Sequence, residues 1–500
     1  MSPKITSNSK RLKPLLPVIF SLILLISSIS NAQVTKIGEE FTASTSMTWF
    51  RSKVAMNEDG DFVVVYSGHR SGGYAIYAQR YSASGEKVGE EIEISYVLYK
   101  TQENPNVAIH SDGSFVVVWE CENDGLDNRD IYCRLYQSSG TPAGEEFLVN
   151  EITRYPQTNP SVDMDGEGIF FICYKSLDQV EGGGMSKMIL CQKFSSTGER
   201  LIGEKTINTD LSNSVSLPRM KYSEQGNGVV VWESWYTDDD NVSWTNIHAR
   251  QFDSSLDPVD DEFLVNTNTE DGQSVPSVGI NNSGAFVISW NSSDESGSGV
   301  FAQRYNSSGE PQGGEFKVNT NTENSSYSDI FVNNDGSIFI TWHSHTTGEG
   351  ISNVFAKLYN HDGAVLQNDF MVNSDSGASE FLPSVSGNGG NSFIVVFQSD
   401  VYGNPRVKGQ MIGSVAVSNA IASQDKIFVY PNPCSGILNI SDSNGGGQAF
   451  KAELISATGE VAYRGIAGEE LDFSAYREGI YFLKLEKENR VETFKIILQK

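Results

Sequence analysis

The chain is poor in the residues that most often carry chemistry. It has five cysteines and six histidines in 500 residues. No CxxC occurs, which removes thiolate zinc centres and thioredoxin-like redox motifs. GxSxG, HExxH and a phosphate-cradling glycine loop are missing too, and with them the common signs of serine hydrolases, zinc peptidases and nucleotide-binding enzymes. Basic residues are scarce: 36 Lys and Arg stand against 63 Asp and Glu, a formal charge of −27. That balance excludes nucleic acid and an anionic membrane as electrostatic partners and leaves calcium as a cation it would suit. Helical periodicity is absent throughout, which favours an all-β protein.

There is one long apolar run, LLPVIFSLILLISSIS (15–30). Lys4, Lys10, Arg11 and Lys13 precede it, and Ser30 and Ala32 supply small residues before Gln33. This is the pattern of a secretory signal peptide over residues 1–32. Its 16 residues are short of the roughly 20 a membrane span requires. No lipobox cysteine follows, so the mature chain is expected to be exported without a transmembrane anchor. Export permits disulfides.

What is abundant is one repeated unit. SDGSFVVVW (111–119) is one of seven related stretches, each ending on an aromatic: Tyr66, Trp119, Tyr174, Trp232, Trp290, Trp342 and Phe397. The steps between them are 53, 55, 58, 58, 52 and 55 residues. Each unit reads as four short strands, A to D. DG or SG turns join A to B, and SASG, QSSG or NSSG turns join C to D. Four strands at this period predict a propeller blade. D-type segments begin at 38–43 (GEEFTA), before the first A strand, and none follows the last C strand, RVKGQMI (406–412). Seven A–B–C sets and seven D strands match only if the N-terminal strand completes the last blade. The prediction is a closed seven-bladed β-propeller over 33–413, a linker over 414–425 and a separate domain over 426–500.

The motifs GEEF-x-VN, NPSV, DG-x-FVVVW and YAQRY resemble repeats in large bacterial surface and adhesin-like proteins, across about 38–413. That resemblance identifies the repeat and no particular ligand. Unit three departs from it at GEKTIN (203–208), and unit seven has Gly409 where other C strands carry Ala or Cys. Those two blades are expected to be the loosest.

The tail reads as a small β-sandwich of alternating strands. It contains YPNPCSGIL, ISATGEVAY and REGIYFLKL. Tyr430, Pro431, Asn432, Pro433, Gly436, Leu438, Gly459, Gly479, Ile480 and Tyr481 are the positions through which it resembles the type A C-terminal sorting domain of the type IX (Por) secretion system. The resemblance implies partnership with that secretion machinery and its sorting protease, and delivery to the surface of a diderm bacterium or beyond it.

If the tail is removed, four cysteines remain. At most one disulfide is expected, between Cys121, two residues beyond Trp119, and Cys133 on the next strand. Cys173 and Cys191 are expected to turn to opposite faces and stay unpaired.

Ligand candidates lie where the units differ. The B–C segment of unit four, WESWYTDDDNVSWTN (232–246), offers Trp235, Tyr236 and Trp244 with Asp238, Asp239 and Asp240. Aromatics can stack on sugar rings while carboxylates hold hydroxyls or calcium. The competing reading is local packing of a long loop. Trp49, Tyr96, Tyr99, Arg154, Tyr155 and Tyr327 fall in D–A loops of the same face. Asp163 and Asp165 sit in an A–B turn, where a turn is a better reading than a calcium loop. His343 and His345 share a strand face without a third ligand. No catalytic constellation emerges, so the expectation is a non-catalytic surface module binding glycan or protein. The alternative is a polysaccharide hydrolase with a carboxylate pair about 5 Å apart. A purely structural surface element is a third reading.

Overall fold

The computed structural model describes residues 33–48, 51–70, 73–95, 100–122, 128–179, 185–224, 226–237, 243–269, 272–294, 297–320, 324–345, 351–374, 377–390, 392–400, 403–415, 427–430, 436–442, 450–457, 460–467, 470–487 and 490–499. The signal segment, Trp49, Tyr96, Tyr99, Asp238, Asp239, Asp240, Pro431, Asn432, Pro433, Cys434 and Gly459 lie outside them. Among the described residues every regular element is a strand, and no helix is long and apolar enough to cross a membrane. The chain divides into two units, residues 31–416 and a C-terminal one from 417 onward.

The first unit is a seven-bladed β-propeller. Seven antiparallel four-stranded sheets follow one another along the chain, each in the order A-B-C-D from the ring centre outward. Blade two is representative: A is Gln102–Ile109, B Phe115–Glu122, C Arg129–Tyr136 and D Phe147–Leu148. Blade seven consists of Ser379–Gly387, Ser392–Asp400 and Pro405–Val415, and its outer strand is Gln33–Thr42 from the N-terminus. The ring therefore closes as the strand count predicts, with Gln33 opposite Val415 and Thr42 opposite Lys408.

The B strands are apolar on both faces because both faces meet a neighbouring blade. Val117 and Trp119 pack with Val63 and Val65 of blade one. Val116 and Val118 turn the other way, onto Ile172 and Tyr174 of blade three. All seven terminal aromatics are at most 1% exposed. Truncating one to alanine removes a buried ring, a change that costs about 3–5 kcal/mol. At the other end of strand B, Phe62, Phe115 and Phe286 stack across the ladder on Tyr81, Tyr136 and Tyr305, with ring centroids 4.7–4.8 Å apart.

The asparagine of the repeated VN motif has a specific task. Outer strands such as Phe147–Leu148 end early, which would orphan a buried N–H on strand C. The asparagine Oδ1 accepts that N–H: Ile131 on Asn150, Ile189 on Asn208 and Ile247 on Asn266, all at 2.7 Å. Val300 on Asn319 and Val354 on Asn373 repeat the bond at 2.8 Å. In blades one and seven the hydroxyls of Ser95 and Ser44 substitute, at 3.1 and 2.9 Å. A side chain thus continues the ladder where the backbone has left it.

Blade seven corrects one expectation. The space beside Gly409 is filled by the Phe41 ring, whose nearest carbon would lie 2.5 Å from an added Cβ. The missing side chain is replaced by one from the closing strand, so no slack results.

The second unit holds a three-stranded sheet (Ile427–Tyr430, Ile437–Asp442, Glu470–Asp472) and a four-stranded one (Val461–Ala467, Phe450–Ser456, Gly479–Lys487, Arg490–Leu498). Their inner faces share one core, including Leu438, Ile440, Leu454, Leu471, Leu483 and Ile496. This is the β-sandwich the alternation predicts. Gly436 has φ 131°, and a Cβ there would stand 2.6 Å from the Ser474 Cα. No other residue fits that crossing.

Candidate functional site

The A strands bring seven equivalent residues to the ring centre: Lys53, Asn106, Ser161, Arg219, Ser277, Asp329 and Ser384. On the side of the A–B turns they floor a funnel of about 480 Å³. On the side of the D–A loops a hollow of about 30 Å³ lies among Arg51, Arg219, Tyr327 and their neighbours. Lys53 Nζ reaches Asp329 Oδ2 at 2.9 Å, and Ser277 Oγ donates to Asp329 Oδ1 at 2.7 Å. Burial works to raise the Asp329 pKa, but Lys53 and the hydroxyl donors override it and hold the carboxyl at about 2. Arg219 makes no ion pair among the described residues. Burial, with Arg51 adding repulsion, lowers its pKa to about 10.

A second ring sits at the loop-side mouth, formed by the residue after each terminal aromatic. It comprises Ser67, Glu120, Lys175, Glu233, Asn291, His343 and Gln398. Their role follows from the A strands, six of which carry a left-handed residue ahead of the central position: Asn104, Asn159, Leu217, Val275, Tyr327 and Leu382, with φ 48–57°. For Val275 or Tyr327 this conformation is strained. A register slip accompanies it in each of these strands. The mouth ring holds several of these kinks from the preceding blade. Asn159 N–H donates to Glu120 Oε1 at 2.6 Å, Val275 N–H to Glu233 Oε1 at 2.6 Å, and Tyr327 N–H to Asn291 Oδ1 at 3.1 Å.

The two mouth carboxylates are consequently engaged by the scaffold. Glu120 also accepts Asn104 Nδ2 at 2.9 Å and Arg129 Nη1 at 3.3 Å. Burial still pushes its pKa up. Glu233 also accepts Ser216 Oγ at 2.5 Å. Lys175 lies between them, its pKa lowered by burial and by Lys187, with Glu233 and Glu120 opposing. His343 is 6% exposed, and burial followed by His345 lowers its pKa to about 4. Its Nε2 lies 3.1 Å from Ser326 Oγ, while Nδ1 has no partner. The Tyr327 ring stacks on it at 5.4 Å, and the Arg51 guanidinium carbon lies over the Tyr327 ring, 5.0 Å from its centroid. The mouth ring was legible only as a polar residue closing each apolar run: W-E, Y-K, W-E, W-N, W-H, F-Q and Y-S.

The unit-four aromatics stand on a strand hairpin. Gly228–Thr237 pairs with Ser243–Phe252 out to Thr237 opposite Ser243. Tyr236 faces Trp244, so these two share one side of the ribbon, while Trp235 pairs with Thr245 and points to the other. Tyr236 is 52% exposed, Trp235 46%, and Trp244 is half-buried. Two of the three aromatics share a face of the ribbon, and the third does not. Arg154 and Tyr155 lean on their own blade, through Asp178 at 3.3 Å and Gln179 at 3.1 Å. Tyr327 alone of the described D–A loop aromatics reaches the mouth.

Asp165 caps its own turn, accepting N–H from Glu167 at 3.0 Å and Ile169 at 2.9 Å, and Asp163 binds Lys221 at 3.1 Å. That is a turn and an ion pair. Among the described residues no three His, Cys, Asp or Glu converge as metal ligands.

The Cys121–Cys133 disulfide is not formed. Cys121 stands opposite Asp130 and Cys133 opposite Val118, which puts the two thiols on opposite faces of blade two. Cys173 and Cys191, expected to diverge, are direct cross-strand neighbours. The register of strand C against strand B, which spacing from the aromatic does not fix, decides which cysteines meet.

A family model described as a secretion system C-terminal sorting domain matches residues 428–499. No curated protein matches the chain. Among solved structures, a protein of unknown function from Dyadobacter fermentans is 11% identical, covering 76% of this chain and 99% of its own, with a TM-score of 0.46. A PL25 ulvan lyase is 10% identical over 76% of this chain and 96% of its own, with a TM-score of 0.49. An α-L-arabinanase from Penicillium chrysogenum is 11% identical over 75% and 99%, with a TM-score of 0.43. At such identities the likeness concerns the fold alone. Residues 428–499 are a C-terminal sorting domain of the type IX secretion system, and through it the chain engages that machinery and reaches the surface or surroundings of a diderm bacterium.

Proposed function

We propose that the propeller is a non-catalytic glycan-binding module. The observation that carries this reading is the Tyr236–Trp244 pair, two aromatic residues directly opposite each other on one face of a hairpin, with Tyr236 52% exposed. Such a pair offers a flat apolar surface of the kind sugar rings stack on. Asp238, Asp239 and Asp240 follow in sequence and would add hydroxyl contacts or a calcium ion. The hydrolase alternative loses support because Glu120 and Glu233 are committed to neighbouring backbone.

The test is a glycan and polysaccharide binding screen with the exported protein, with and without calcium. Tyr236→Ala and Trp244→Ala should each abolish binding, whereas Trp235→Ala, on the opposite face, should leave it. Equal loss in all three would sink the stacking platform. A second reading is favoured by His343, held neutral with a free Nδ1 beside Tyr327 and Arg51. That cluster could act as a general base on a bound polysaccharide. Release of shortened sugar, lost in His343→Gln, would put this reading first.

A further inference from the structure

Blade three differs from the other blades at one buried cross-strand pair. That pair is Val65–Ala78 in blade one, Val231–Ala249 in blade four and Thr341–Ala356 in blade six. In blade three it is Cys173–Cys191. Both are fully buried in the same core cluster.

The ladder shows which kind of pair they form. Ile189 donates its N–H to Asn208 Oδ1 at 2.7 Å, and its carbonyl accepts Ile207 N–H at 2.8 Å. The backbone polar groups of Ile189 thus face the outer strand, and by alternation those of Cys191 do too. Cys173 and Cys191 are therefore a non-hydrogen-bonded antiparallel pair. In such pairs the Cα atoms lie about 4.5 Å apart and side chains approach most closely. A disulfide spans Cα separations of about 4.4–6.8 Å. Both stand as free, buried thiols in the structure. Cys121 and Cys133 have Asp130 and Val118 as partners instead.

We propose that Cys173 and Cys191 are joined as a disulfide in the exported protein, a staple within blade three. The oxidant is the disulfide of a periplasmic dithiol–disulfide oxidoreductase. One cysteine thiolate attacks that disulfide, forming a mixed disulfide and releasing one donor thiolate. The second cysteine thiolate attacks the mixed disulfide, making the Cys173–Cys191 bond and releasing the other. The pair loses two protons and two electrons, and the donor becomes a dithiol. Since both cysteines are inaccessible in the closed ring, the exchange precedes the packing of blade four on blade three. Afterwards the bond is shielded from reductant.

The full chain, exported in a host with an oxidising periplasm, would be unfolded in guanidinium with an alkylating reagent and no reductant, then digested. The expected product is a linked pair of peptides carrying Cys173 and Cys191, two hydrogens lighter than their sum, with Cys121 and Cys133 alkylated. Alkyl label on both Cys173 and Cys191, or a link between Cys121 and Cys133, would overturn the proposal. Cys191→Ala provides a second reading, because alanine fills this position in four other blades. Its denaturation midpoint should fall and match that of the parent treated with reductant after unfolding. A parent whose midpoint is unmoved by reduction refutes the staple.

Discussion

Asn266 tests the idea that one side chain per blade completes the sheet. It is 2% exposed and makes three bonds: it accepts Ile247 N–H at 2.7 Å and donates to Asn246 Oδ1 and the Asn268 carbonyl, each at 2.8 Å. Asn266→Ala leaves the Ile247 N–H buried and unpaired, a penalty of about 1–3 kcal/mol, and each lost neutral bond adds up to about 1 kcal/mol. Part of that is recovered by water reaching Asn268, so the expected loss is about 2–4 kcal/mol. Asn266→Ser should be much milder, about 1–2 kcal/mol, because Ser95 and Ser44 accept the equivalent N–H in blades one and seven. All seven tryptophans precede residue 417, so tryptophan fluorescence during urea unfolding reports the ring without the sorting domain. If alanine and serine are equally costly, or alanine costs under about 0.5 kcal/mol, the acceptor role is wrong.

Three further outcomes follow from the ring centre and the closing blade. His343 has a pKa near 4 in the fold against an ordinary 6.5, so the unfolded chain takes up the proton first as pH falls. Stability should therefore decline between about pH 6.5 and 4 by about 3 kcal/mol, and His343→Gln, which copies Gln398, should flatten that slope. Asp329, held at about 2, contributes stability that is complete above the ordinary carboxylate range and lost as pH falls toward 2. Asp329→Ala leaves the buried Lys53 without its ion-pair partner, and chemical unfolding should show a loss of about 3–5 kcal/mol at neutral pH. Gly409→Ala drives a methyl into the Phe41 ring and should lower the melting point, with Phe41→Leu in the same chain restoring part of the loss.

The architecture was legible because it is written seven times. Turn chemistry, strand period and the unmatched D segment each point to a closed ring, and repetition averages out local noise. The cysteine pairing was not legible, because a residue's face depends on a register that one strand does not display. Gly409 misled for a similar reason: its compensating ring, Phe41, stands at the opposite end of the chain. The mouth ring escaped notice because its seven members are unlike in chemistry. Only their shared place, one step beyond the aromatic, links Glu120 to Lys175 and His343. The kinks they support depend on φ values that Leu217 and Val275 give no hint of.

The strand Gln33–Thr42 also imposes an order of events. It precedes every other strand of the ring in the chain, yet its partner Pro405–Val415 is the last strand of the ring to be made. Until then it must wait with one edge bare, and the charges of Lys36, Glu39 and Glu40 discourage it from pairing elsewhere. When the partner arrives, Lys408 closes on Glu40 at 2.7 Å and Ser374 N–H on the same carboxylate at 2.8 Å. Closing so long a loop is slow. By the same token the finished ring has a single seam, and its lifetime outside the cell is set by how rarely that seam opens.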